Sequence, residues 1–388
     1  MKVLEALKQA SQDLKNKPSS NKDDASSSAI KALLELQTEA DNILSNDPSL
    51  FTLSQYISTL KPLVETLQRS QGNSLRSFLR RRVNRHDISR VAESIEHEIQ
   101  AWIDRESLEN LVKSLNSKTL ISEDETIKLL RQFERRIEQG FSRDLQDLVL
   151  RSKIFNALEY VLCDYKSSKR IREASAFAVS ALVQFNKDVF VGEVLMGPTI
   201  RSLISIGSYS SLQVLNSLIR SIKSALVDEI DIPKIITFLS SEELLIKIVA
   251  VDCVLEIGYF GRKEAIEAML KEGLVMKLVE LQRSEELGGD LIDMGRFDEG
   301  ENNGVCVGGV EIESKEKKGT CREKRFLETH PFASCVARFA IQLEVGEGLR
   351  QRERRAFKLE ILKLVRESCV SDAETATILA EVLWGSTP

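Results

Sequence analysis

Arg76, Arg80, Arg81, Arg82 and Arg85, followed by His86, form the densest basic run in the chain, with Asp87 the only acid beside them. Several guanidinium forks this close together can share one anion, so the chemistry on offer is docking of an acidic protein, a phosphate or an anionic lipid. The plainer reading is a solvated loop or helix end between two helices, in which Phe78 and Leu79 anchor the segment. A second basic group, Arg350, Arg352, Arg354, Arg355 and Lys358, is diluted by Glu353 and Glu360 and reads as a solvated helix face. Covalent and metal chemistry find little to work with. The chain has 3 histidines. His97-Glu98 opens like the helical zinc motif, yet Ala101 stands where the second histidine is needed on the same face. The acids from Asp290 to Asp298 lack the alternate spacing of a calcium loop, and no Gly-rich phosphate loop ends in Gly-Lys-Ser/Thr. Catalysis needs a convergent nucleophile, base or metal. The expectation is therefore a non-enzyme without cofactor or metal.

The bulk properties agree with a folded, chemically quiet protein. Of 388 residues, 42% are hydrophobic and 29% charged, which is normal for a globular chain. Aromatics are 6%, so the core must be built of Leu, Ile, Val and Ala. A net charge of -5 argues against nucleic acid as a partner, because phosphate neutralisation needs a basic face. The 6 cysteines are scattered without a paired motif, and the first residues lack the apolar stretch of a secretory signal. These features predict reduced thiols in a cytoplasmic or nuclear protein. No apolar run has the length of a membrane span.

The elements that carry these residues recur. Ile171 to Leu182, Leu212 to Ile222 and Ile246 to Ile257 read as helices of one kind. Between them come shorter apolar segments beginning at Gly197, Ile232 and Gly273, which are 35 and 41 residues apart. A period of this size predicts helical units that bury their faces only against their neighbours. In the clearest repeat helix, Ile171, Ala174, Ala178, Ala181, Leu182 and Phe185 share a face, and the small residues would let helices approach closely. Exposed residues of these longer helices would line a groove: Arg172, Ser180, Asn216, Arg220, Lys223 and Glu256.

Outside the repeats, apolar stripes at Leu53, Ile57, Leu60, Val64 and Leu67, and at Ile88 to Ile103, predict a helical bundle over residues 1–105. The repeats occupy 106–283. Residues 284–325, with eight of the 19 glycines, read as a disordered acidic insertion. The helical pattern resumes over 326–388 with Phe332, Val336, Phe339, Ala340 and Leu343. It continues through Phe357, Ile361, Leu364 and Val365, and ends on Ala376, Leu379, Ala380, Leu383 and Trp384 as a closing cap.

The repeats resemble armadillo repeats, through the pattern basic-x-Ala-x-x-Ala-x-x-x-Leu at Arg172 to Leu182, and more loosely at Lys247 to Ile257. With His330 to Leu349, the chain is similar to plant armadillo-repeat proteins related to the U-box ubiquitin ligases. No segment resembles the U-box itself, so recruitment of a ubiquitin-conjugating enzyme is not implied. Importin-type relatives hold their peptide with an Asn and Trp ladder. The corresponding positions here are Ala181, Ser221 and Glu256, and nuclear-import reception is not implied either. The resemblance implies an all-α, armadillo-like α-solenoid preceded by an N-terminal helical bundle. It would bind a protein or extended peptide along its concave face, as an adaptor or scaffold. The alternatives are an accessory factor in ubiquitin ligation without a U-box, or a peripheral membrane protein docking through residues 76–86.

Overall fold

The computed structural model describes residues 52–56, 58–59, 62–63, 75–116, 122–287 and 330–384, and every regular element among them is helical. The expected insertion over 284–325 lies almost wholly outside the described residues, and so does most of the expected first stripe. By its internal packing the chain divides into two units, residues 1–129 with 140–157, and residues 130–139 with 158–388.

In the first unit, helix α1 (Leu75–Asn116) runs without a break. Its sequence holds no proline or glycine, so nothing removes a backbone donor or loosens a turn. Ile88, Ala92, Ile95 and Ile99 are buried along one stripe, and Leu108, Leu111 and Leu115 carry burial to its end. The helix thus passes straight through the boundary expected at residue 105, because apolar spacing persists on both sides of it. The Arg76 to Arg85 run, expected in a loop or at a helix end, forms the first three turns of α1. Helix α2 (Glu123–Glu138) begins in this unit, where Ser114 and Thr126 share a buried hydroxyl contact of 2.9 Å. Helix α3 (Arg143–Ser152) is capped by Ser142 and packs Leu145 and Val149 inward beside α1. His97 meets Asp144 at 3.0 Å on the surface of this unit, which is the structural use of the histidine that opened the failed zinc motif.

The second unit repeats a triplet of helices, short–short–long in the first two triplets and of 9, 14 and 11 residues in the third. Helices α4 (Ile154–Cys163) and α5 (Lys169–Phe185) lead in. Next come α6 (Lys187–Met196), α7 (Thr199–Ile206) and α8 (Tyr209–Ile222), then α9 (Ser224–Val227), α10 (Ile232–Phe238) and α11 (Leu244–Phe260). Helices α12 (Lys263–Lys271), α13 (Leu274–Leu287) and α14 (Cys335–Val345) make the third triplet, followed by α15 (Gln351–Ser368) and α16 (Asp372–Trp384). The third helices pack in series, α5 on α8, α8 on α11 and α11 on α14. This serial packing of triplets is an armadillo-like, all-α solenoid.

Local sequence explains the joints. Ser168 and Ser208 cap α5 and α8, the latter in a reciprocal pair with Ser211. Pro233 sits in the first turn of α10, where its missing N–H costs nothing. Gly273 takes a left-handed conformation, φ 76°, to turn α12 into α13. Helix α14 fills the third place of its triplet, although residues 288–329, outside the described residues, separate it in sequence from α13. The register of the stack continues across them.

The terminal hairpin is anchored by both apolar and polar contacts. Phe357, Ile361 and Val365 of α15 are buried as the spacing predicts, but the cap differs from expectation. Ile378 and Val382 are the inward residues of α16, whereas Trp384 is 82% exposed and Leu383 lies outside as well. The reason is a polar clasp that sets the rotation of α16. Arg283 donates from Nε and Nη2 to the two oxygens of Glu374, at 2.8 and 3.1 Å, and Gln282 and Ser334 both donate to Glu381. Holding Glu374 and Glu381 against α13 turns Trp384 away. Arg283's hydrogen bond lowers the Glu374 carboxyl below its usual value. A carboxylate with a lowered folded pKa stabilises fully above its ordinary value, and that contribution is lost as pH falls through the lowered one. Acidification below about pH 4.5 should therefore loosen α16. Hydrogen exchange of residues 372–384 against pH, with Glu374→Gln losing the dependence, checks this.

Candidate functional site

The third helices align a ladder of polar side chains across the stack. Ser180 of α5 donates to Ser217 of α8 at 3.2 Å, and Gln184 donates to the same oxygen at 3.0 Å. One turn on, Arg220 of α8 donates from Nε to Glu256 of α11 at 2.7 Å, with the guanidinium mostly exposed. Asp252 lies one turn before Glu256 on α11 and feels the charges of both Arg220 and Arg338 of α14. Burial raises the Asp252 carboxyl above the usual carboxylate range, against the pull of Arg338 and Arg220, while Glu256 adds to the rise. Arg338 itself is steadied by a 2.7 Å bond to the Pro331 carbonyl. Lys223, just past α8, reaches Glu347 at 2.8 Å and stands over the Phe260 ring at 5.6 Å.

The residues expected to line a groove thus have different roles. Arg220, Lys223 and Glu256 lie on the ladder and at its edge, each paired with an opposite charge. Ser180 lies on it as well, though largely covered. Arg172, expected to be exposed in the groove, instead turns back to the Leu162 carbonyl at 2.9 Å and stacks over Tyr165, where it holds the α4–α5 turn. Asn216, expected beside Arg220, is 8% exposed and faces the interior of α8. The physical cause is crowding: α8 contacts α5, α6, α7, α9 and α11, so only a narrow strip of it faces outward. The side chains of Arg76, Arg80, Arg81, Arg82 and Arg85 are outside the described residues, although their backbone is in α1.

Asp252, Arg338, Ser217, Gln184 and Glu347 belong to the ladder and were not anticipated. The one available signal was the Asp252 and Glu256 pair at helical spacing on a helix whose one other charged residue is Lys247. Within the C-terminal basic group, Arg354 is committed to structure. It donates to the carbonyls of Leu349, Glu344 and Gly346, which closes the end of α14. Cys253 and Cys335 are buried and point their thiols at the carbonyls of Leu212 and Leu278, and burial pushes the Cys253 thiol well above its usual value. Neither is a nucleophile in this setting. Among the described residues, no cluster of three His, Cys, Asp or Glu side chains has the geometry to hold a metal ion. Also among them, no single helix is long and apolar enough to cross a membrane.

No protein-family model and no curated protein matches the chain. Solved structures do match at low identity. A designed armadillo repeat protein, YIII(Dq)4CqI, aligns with 72% of this chain and 100% of its own, at 13% identity and a TM-score of 0.42. The designed armadillo repeat protein YIII(Dq.V1)4CPAF, in complex with peptide (KR)4, aligns over 72% and 99%, at 14% identity and a TM-score of 0.40. Kap121p bound to Pho4p aligns over 93% of this chain and 36% of its own, at 13% identity and a TM-score of 0.36.

Proposed function

We propose that this chain is a non-catalytic scaffold that takes an extended segment of another protein across the ladder on α8, α11 and α14. The observation that carries this reading is the Arg220–Glu256 pair, flanked by Asp252 and Arg338 on consecutive third helices. Packed helices lie about 8–10 Å apart, and an extended chain rises about 3.3 Å per residue. One partner residue in three would then meet each helix, in a register fixed by alternating charges. The pairs already formed hold the side chains in place, so a partner's own charges and backbone groups meet oriented partners rather than free rotors. The four described cysteines without a disulfide fit a cytoplasmic or nuclear setting.

Peptide display against the intact chain tests the proposal. Enriched peptides should lose at least about tenfold in affinity on Glu256→Arg, equivalent to about 1.4 kcal/mol. The Glu256 side chain is 21% exposed and paired with Arg220, so the reversal also costs some stability, and affinities are compared at a temperature where both chains are folded. Failure to enrich peptides, or affinity indifferent to Glu256→Arg and Arg338→Glu, would remove the ladder as the site.

A further inference from the structure

The loop joining α10 to α11 carries Ser240-Ser241-Glu242-Glu243, with Ser240 and both glutamates exposed. Leu244 and Leu245, 52% and 57% exposed, follow at once, so the loop offers an unusual run of accessible side chains. Across the joint, Lys277 of α13 sets its ammonium 2.6 Å from the Ser240 Oγ. This contact links the second triplet to the third. We propose that Ser240 is a phosphorylation site whose phosphate is received by Lys277 as a clamp between these two repeats.

Three observations select Ser240. First, its hydroxyl is at the surface in a turn, whereas Ser208 and Ser211 are buried in their capping pair. Second, Glu242 and Glu243 stand two and three residues after it, which a kinase with a basic substrate pocket can grip. Third, a cation is already in place. Ser241 lacks the third feature: its Oγ accepts the Glu243 N–H at 3.2 Å and steadies the approach to α11. In the reaction, Ser240 Oγ attacks the γ-phosphorus of a nucleoside triphosphate held by a protein kinase. The bond from that phosphorus to the β–γ bridging oxygen breaks, the nucleoside diphosphate leaves, and the hydroxyl proton passes to the kinase's base.

The product carries a charge of about −1.5 to −2 at neutral pH. Glu242 and Glu243 oppose that charge, so Lys277 decides where the phosphate rests. The first turn of α11 has no side-chain cap, and a helix N-terminus favours negative charge nearby. A contact now made by a neutral hydroxyl becomes a charge-assisted one between neighbouring repeats, the coupling on which a stacked array depends.

The test treats the intact chain with ATP and a serine kinase that selects acidic residues after its target. The phosphate is mapped by mass spectrometry, and its phosphorus resonance is titrated with pH. The expected result is phosphate on Ser240, absent from Ser240→Ala. Its second pKa should lie about half a unit below the ordinary value near 6, a shift abolished by Lys277→Gln. Exchange of the first-turn amides of α11 should slow on phosphorylation of the parent and not of Lys277→Gln. No incorporation, incorporation at Ser241 instead, or a second pKa that Lys277→Gln leaves unmoved would each overturn the proposal.

Discussion

Leu182→Asp is expected to abolish cooperative unfolding of the repeat region. Leu182 is 0% exposed, on the helix that contacts both α6 and α8, with Ala178 and Val183 buried around it. A carboxylate there has no partner, and a neutralised acid would still bury a polar group in an apolar site. The cost is several kcal/mol, against a total domain stability of about 5–15 kcal/mol. Leu182→Ala removes the same contacts without introducing charge and should cost about 2–5 kcal/mol. Lys187→Asp, at an exposed position five residues on, should change little. Because each repeat leans on its neighbours, the damage should spread to α6 and α8 first and reach α14 least. Hydrogen exchange across the stack, read beside thermal unfolding, reports that gradient. An unchanged melt for Leu182→Asp would place the inward face of α5 elsewhere.

The gradient matters because the elements were legible in the sequence while their orientations often were not. Ile171 to Leu182, Leu212 to Ile222 and Ile246 to Ile257 were identifiable as repeat helices by spacing alone, and all three are long helices of the stack. Val336, Phe339, Ala340 and Leu343 marked α14, where all four are buried, while Phe332 lies in the turn before it. A helix packed on several sides has no single apolar stripe. Buried residues of α11 include Ile246, Val249, Ala250, Val251, Cys253, Val254 and Ile257, and no periodicity says which flank is open. For the same reason Arg172 and Asn216 looked like exposed groove residues, whereas Arg172 bonds back to the Leu162 carbonyl and Asn216 is buried. The ladder partners fail for another cause. Arg220 and Glu256 are 36 residues apart and Lys223 and Glu347 are 124 apart, and the latter pair forms only because α14 completes a triplet begun before residues 288–329. Trp384 was misplaced because apolar spacing ignores the acids, and here Glu374 and Glu381 set the rotation of the last helix.

Gly346→Val is the second change of large expected effect, and it acts at the joint between α11 and the last three helices. Gly346 has φ -63° and ψ 163°, a conformation open to any residue, so backbone freedom is not what glycine supplies. Space is. A side-chain carbon at this position would fall onto the Tyr259 carbonyl oxygen and come within 2.8 Å of the Tyr259 Cα and 2.6 Å of the Gln342 oxygen. These are backbone atoms and cannot swing aside. The turn must approach this closely because the N–H groups of Glu347 and Gly348 both donate to the Tyr259 carbonyl, at 2.8 and 3.1 Å. Arg354 then closes over the same turn through the Gly346 carbonyl. Pushing the turn outward would give up both bonds to Tyr259 and move Glu347 from Lys223. With overpacking at about 1–3 kcal/mol and each lost hydrogen bond at about 1 kcal/mol, the loss should be about 3–5 kcal/mol. It should be local in origin: α14 to α16 release first, while α5 to α8 keep their exchange protection, the reverse of the Leu182→Asp gradient. Gly192→Ala is the matched control, since a carbon added there meets nothing within 4 Å and a helix interior favours alanine. If Gly346→Val melted like the parent, the turn would have room that its bonds to Tyr259 deny, and α14 would not be held to α11 by backbone contact.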